Sequence, residues 1–388
     1  MNLHSMKSRK KISHNLFFLL GWSYYLLVPI LSAYFGFFDD VSAWNNYVYE
    51  NANYILALYS ALIILFYSFC SLSGVFNWTI NLNIKYINGV NFIVIPIYIL
   101  LLIVYVLTAS DFIFTGYKNG MDPSLVGPIA TLEMALLFHY LYCKTFSCIR
   151  YTKITGILIL ITSIILLGMG GRIYVISALI SIFFYEWNWG NINRRKLFFL
   201  MMPMPFIVVA IGMWRVGDLN VDVIGFYIFA ESLFTSISAF TILNANNWGW
   251  FEYPIDFIIS FSNVIPVFFW PDKGIFIDSW SRVNTDIEAP FGALNIVASS
   301  ISNFGFLGGL CFIGFVGFIM GVMKKISKYP LMRVLYCYLV GLLPFIFFRD
   351  PYAVQVKLVL MAFILVFIYQ AISKIKFPYF KNILINYE

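Results

Sequence analysis

Charge is scarce in this chain. Of 388 residues only 11% are charged, against 61% hydrophobic, and the mean hydropathy is +0.84. A water-soluble fold has no means of hiding that much apolar surface. The apolar runs recur along the whole length, each near the ~20 residues that cross a bilayer. Regular alternation of apolar and polar residues is missing as well, which argues against a transmembrane β-barrel. No stretch has the length and polarity of a separate soluble domain, so the expectation is one helical bundle over residues 1–388 rather than the two or three domains that length alone implies.

Reactive side chains are equally sparse. The three histidines are His4, His14 and His139, and the five cysteines show no metal-ligand spacing. There is no phosphate-cradling glycine loop and no serine–histidine set, so nucleotide-driven transport and serine hydrolysis lack support and no cofactor is expected. With the histidines placed at or toward the cytoplasmic side, a general base on the outer face has to be a carboxylate or a tyrosine.

What remains is an all-α polytopic membrane protein. Spans are predicted at 15–38, 53–73, 91–110, 124–142, 155–170, 173–189, 197–214, 304–323, 333–349 and 354–373. Two weaker segments, 224–243 and 254–269, either both cross or both lie at the interface, giving ten or twelve transmembrane helices. The basic start at Lys7, Arg9, Lys10 and Lys11 has no small-residue cleavage site after it and reads as the flank of a retained first span. Lysine and arginine then set the orientation. Most of the 25 basic residues, including Lys144, Arg194, Arg195, Lys324, Lys325 and Lys374, fall on one set of connections. That places both termini in the cytoplasm. Lys118, Arg172, Arg215, Lys273, Arg282, Arg349 and Lys357 fall on the opposite, outer side, where topology does not account for them.

The longest polar connection, 215–303, is an outer-face loop region with interfacial or re-entrant helices. It carries Trp248, Trp250, Trp270 and Trp280 among carboxylates. Flat amphipathic rings beside hydrogen-bonding acids suit a sugar surface; an interfacial aromatic belt is the plainer reading.

The out-of-place arginines sit in tight turns. In Gly168-Met-Gly-Gly-Arg172 the preceding span from Ile154 to Gly170 has 17 residues, roughly 25 Å of helix against a hydrocarbon core of about 30 Å. The hairpin tip is therefore expected below the outer surface, with Arg172 either beside exposed backbone N–H groups as an anion site or snorkelling to the outer headgroups. Phe348-Arg349-Asp350-Pro351-Tyr352 forms a second outer hairpin, in which Asp350 either serves function or pairs locally with Arg349, and Lys357 follows Asp350 by two helical turns. Arg215, next to Trp214, fits either an anion site or snorkelling to headgroups. Two carboxylates, Glu133 and Glu231, lie within spans, where they serve function or pair with an arginine. Several permanent cations at headgroup depth under an aromatic, acidic loop fit a lipid diphosphate that carries a glycan.

At these residues the chain resembles the Wzy-type O-antigen and capsular repeat-unit polymerases. Three features carry the resemblance: the Gly-Gly-Arg172 hairpin, the run from Ile265-Pro266 through Trp270-Pro271-Asp-Lys273 to Ala298-Ser-Ser-Ile-Ser-Asn303-Phe-Gly305, and Phe348-Arg349-Asp350 before the last helix. It covers roughly 150–370 by pattern and the earlier half by hydropathy. It implies a GT-C-like, metal-independent glycosyltransferase in the bacterial inner membrane with its active site facing the periplasm. The reaction moves a growing glycan from undecaprenyl diphosphate onto the non-reducing end of a new lipid-linked repeat unit. A polysaccharide chain-length regulator is the implied partner, beside membrane lipids and a flippase that supplies substrate; no nucleic acid is involved. Essential outer-face arginines carry over to Arg172, Arg215 and Arg349, and Arg282 matches less closely. From the chemistry, Glu231 and Asp350, then Glu133, are the base candidates. Arg172, Arg349, Asp350 and Glu231 form the expected catalytic set. Arg215, Arg282, Lys357, Glu133, Tyr352 and Trp270 are expected to bind diphosphate or glycan. The alternatives are an O-antigen ligase, disfavoured by the missing outer-loop histidine, and a lipid-linked oligosaccharide flippase.

Overall fold

The computed structural model describes residues 11–37, 52–76, 87–109, 123–190, 192–203, 206, 210, 213, 224–245, 248–265, 269–280 and 293–374. Among them every regular element is helical, as the uninterrupted apolar runs require. Eight helices are long and apolar enough to cross a membrane: α1 (His14–Tyr34), α2 (Ala52–Leu72), α3 (Ile87–Ala109), α4 (Pro123–Thr145), α5 (Ile149–Met169), α8 (Ile224–Ala245), α11 (Ile296–Ile326) and α14 (Tyr352–Ile372). The chain is a multi-pass membrane protein. The shorter elements are α6 (Arg172–Asn188), α7 (Arg194–Met201), α9 (Ile255–Ser260, continued by a 3₁₀ turn at Phe261–Val264), α10 (Lys273–Trp280), α12 (Pro330–Leu342) and α13 (Ile346–Arg349).

Several predicted spans take other forms. Segment 333–349 divides into α12 and α13, and 197–214 is described only in part. The segments 224–243 and 254–269 do not behave alike. The first is a full-length helix. The second yields ten helical residues, Ile255–Val264, about 15 Å and too short to cross. Prolines at 254 and 266 bracket it, and a residue before proline is pushed out of the helical region.

The largest departure is in α11. Gly305 has φ +75° and ψ 179°, a conformation open essentially to glycine alone. The helix reverses there. The rings of Phe304 and Phe312 stack at 4.8 Å, and a Cβ on Gly309 would lie 3.0 Å from Ser300. Residues 296–304 thus form a half-helix folded against the long arm that follows. Backbone from 249–252 seals the break: the amides of Phe306 and Leu307 donate to the carbonyls of Gly249 and Trp250, and Glu252 N–H donates to Phe304 O. The long arm then packs closely along α2, with glycines at 314, 317 and 321 facing it.

Two tight turns present the arginines. Helix α5 ends on Gly170 at φ +92°, the left-handed cap that favours glycine, with Gly171 N–H donating to Leu166 O at 2.7 Å. Arg172 is the first residue of α6. Between α13 and α14, Pro351 caps the last helix. Gln355 stitches that turn by donating from Nε2 to the carbonyls of Asp350 (2.6 Å) and Phe347 (3.2 Å).

Candidate active site

Helices α6, α8 and α13 converge on one carboxylate. Glu231 Oε2 lies 2.9 Å from Arg172 Nη2, and its Oε1 lies 2.7 Å from Arg349 Nε. Arg349 Nη1 also donates to Asp350 Oδ1 at 2.7 Å. The result is a continuous chain, Arg172–Glu231–Arg349–Asp350, with two charges of each sign. The contact between Arg349 Nε and Glu231 Oε1 is close but out of line for a hydrogen bond, so it is an ion pair in the electrostatic sense. Asp350 is buried, and its Oδ2 has no hydrogen-bond partner. A buried carboxylate oxygen without a hydrogen bond is costly in a native protein.

Two tyrosines of the first helix complete the surroundings. Residues Ser23–Leu27 form a π-helical turn, and Val28 N–H reaches back to Ser23 O. Such turns are frequent at functional sites. Tyr24 Oη donates to Ile228 O at 2.6 Å, three residues before Glu231. Tyr25 is fully buried, its hydroxyl has no partner, and it lies within electrostatic reach of Glu231, Arg349 and Asp350. The start of the half-helix closes the frame: Leu294 N–H donates to Arg349 O (2.8 Å) and Asn295 N–H to Ser238 Oγ (2.9 Å).

The arginines of two sequence-distant hairpins are therefore brought together, with Glu231 between them and Asp350 beside them. They do not form an open cationic patch, because carboxylates already neutralise them. Glu133 stands elsewhere. It is fully buried in α4, where it accepts from Thr162 and from Ser163 Oγ (2.7 Å) of α5. Of the two readings for this carboxylate, pairing with an arginine is not found among the described residues; two hydroxyls hold it instead. Tyr352 shares a hydrogen bond with Ser300 at 3.1 Å and packs on Phe257, Phe304 and Phe312. Trp270 lies against Phe276 at 5.0 Å. Lys357 makes no ion pair with Asp350; it lies within electrostatic reach of Lys273 instead. Arg215 and Arg282 lie outside the described residues. Tyr24 and Tyr25 were missed from sequence, since two tyrosines inside an apolar run carry no periodic signal. Among the described residues no cluster of three or more metal-ligating side chains occurs.

No protein family, no curated protein and no solved structure matches the chain.

Proposed function

We propose that the chain is a polysaccharide polymerase of the bacterial inner membrane, working on its periplasmic side. It transfers a growing glycan from undecaprenyl diphosphate to a hydroxyl at the non-reducing end of a second lipid-linked repeat unit. The observation that carries this reading is the pairing of Arg172 and Arg349 through Glu231. One acid holds two guanidinium groups close together despite their like charge. A diphosphate carries enough negative charge to replace that acid as their partner, and guanidinium forks match its oxygens in pairs.

In the transfer, the acceptor hydroxyl oxygen forms a bond to the anomeric carbon of the donor glycan. The bond from that carbon to the diphosphate oxygen breaks, and the electron pair leaves with the diphosphate. Arg172 and Arg349 stabilise that developing charge. The acceptor proton passes to Asp350, whose Oδ2 has no other partner. Glu231 is the poorer base, because each of its oxygens faces an arginine.

The test is a gel of lipid-linked and lipid-A-linked glycans from cells carrying Arg172→Ala or Arg349→Ala. Loss of polymer with single repeat units still capping the lipid supports the polymerase. Repeat units trapped on the cytoplasmic side would mark a flippase. Long polymer retained on the carrier lipid would mark a ligase. Normal ladders from both variants would remove the arginines from the reaction.

A further inference from the structure

A second group of cations lies away from the arginine cluster. Lys273, at the start of α10, is buried and its Nζ donates to Ile265 O at 2.7 Å. Lys357 lies on α14 one turn after Ala353, whose carbonyl accepts from Asn263 Nδ2, two residues before the Ile265 that holds Lys273. Among the described residues neither is in an ion pair with a carboxylate. Burial also pushes the Lys273 ammonium below its usual pKa. Two like charges drawn together and withdrawn from water are unfavourable until an anion joins them.

Next to this pair runs an open apolar groove of about 310 Å³, which the lysines themselves do not line. Helix α9 supplies Phe257 and Phe261, and α14 supplies Val356 and Leu360, the neighbours of Lys357 along that helix. Phe312 and Phe315 of α11 line another side. The two helices are tied by a hydrogen bond from Asn263 Nδ2 to Ala353 O at 3.2 Å. The polar side chains in the lining, Tyr352 and Gln355, already spend their hydrogen bonds inward on Ser300 and on backbone carbonyls. A sugar finds no partners there. A hydrocarbon chain does.

We infer that Lys273, Lys357 and this groove form a second lipid-diphosphate site that holds the acceptor substrate, with its diphosphate on the lysines and its isoprenoid chain in the groove. This rests on the polymerase reading, in which two lipid diphosphates must be bound at once. The division of cations follows the chemistry. The donor's diphosphate departs and needs paired donors that tighten as charge develops, which guanidinium groups provide. The acceptor's diphosphate stays intact and needs only to be held, for which ammonium point charges suffice.

The test uses farnesyl diphosphate as probe on the full chain in phosphatidylcholine nanodiscs, with bound ligands counted by native mass spectrometry. Wild type is expected to bind two per chain. Lys273→Gln/Lys357→Gln is expected to bind one, and each single variant to weaken that site about tenfold, the usual scale for a charged hydrogen bond. Val316→Trp, which fills the groove, is expected to weaken farnesyl diphosphate at the lysines while inorganic diphosphate binds there unchanged. Two sites surviving in the double lysine variant would overturn the inference and leave the polymerase reading standing. So would displacement of the probe from the lysines by phosphatidylglycerol, which would mark a general anionic headgroup site. Retention of both sites in Arg172→Gln/Arg349→Gln, with one lost in the lysine variant, would instead sink the donor site of the polymerase reading.

Discussion

Replacing Glu231 by Gln removes the one carboxylate that faces both Arg172 and Arg349 and keeps the side-chain shape. The cluster then changes from balanced to one net positive charge, with two guanidinium groups pressed together. The Glu231 side chain is 13% exposed, and the arginines are 30% and 25% exposed, so the site lies between two regimes. Removing one partner of a buried pair costs about 3–5 kcal/mol and an exposed pair is worth about 0–1 kcal/mol, so a loss of about 2–3 kcal/mol is expected for Glu231→Gln. Arg172→Gln alone leaves Glu231 paired to Arg349 and should cost about 1–2 kcal/mol on the same scale. The double variant loses one charge of each sign and leaves Arg349 on Asp350. Its loss should fall short of the sum by about 1–2 kcal/mol, the coupling expected of residues in contact. Denaturant unfolding of the four proteins in detergent micelles measures this. Losses that add within about 0.5 kcal/mol would show that Glu231 and Arg172 do not interact.

Asp350→Asn keeps the turn and removes the proposed proton acceptor; polymerisation by purified protein should fall about 10²–10⁴-fold, the usual worth of a general base, with binding of the lipid diphosphate retained. Gly305→Ala should cost more than about 2 kcal/mol or abolish folded yield on size-exclusion chromatography, because its φ is left-handed and a Cβ there would lie 2.7 Å from Gly249 O. Glu133→Gln keeps a carbonyl acceptor for Ser163 and presents an amide to Thr162, whose hydroxyl can turn to accept. Stability should move by less than about 1 kcal/mol and the glycan ladder should be unchanged; a lost ladder would bring Glu133 into the reaction.

The two hairpins that carry Arg172 and Arg349 were legible because local chemistry dictates them. Glycine caps α5, proline opens α14, and a permanent cation in each turn calls for a partner or a use. That the two hairpins meet was expected from the chemistry of a shared diphosphate, and the helix pattern itself did not dictate it. In a soluble protein the apolar stripe of each helix shows which face turns inward. In a bilayer the lipid-facing and bundle-facing sides are equally apolar, so Glu231 read as a partner for an arginine without showing that it faces Arg172 and Arg349 together. The reversal at Gly305 was hidden for a related reason: residues on both sides of it read as one continuous apolar run. The π-helical turn beside Tyr24 and Tyr25 depends on packing against α8 and leaves no pattern in the residues. Lys273 and Lys357 stood out as misplaced cations, but their shared surroundings emerged only once α9 and α14 were seen side by side.

The most direct measurement is polymerisation by the purified chain in liposomes. Its substrate is lipid-linked repeat units extracted from cells lacking this protein, in buffer containing a metal chelator. A ladder from wild type, and none from Arg172→Ala or Arg349→Ala proteins that remain folded, is the predicted result. Ladders from either arginine variant at the wild-type rate would contradict the claim that this cluster grips the departing diphosphate.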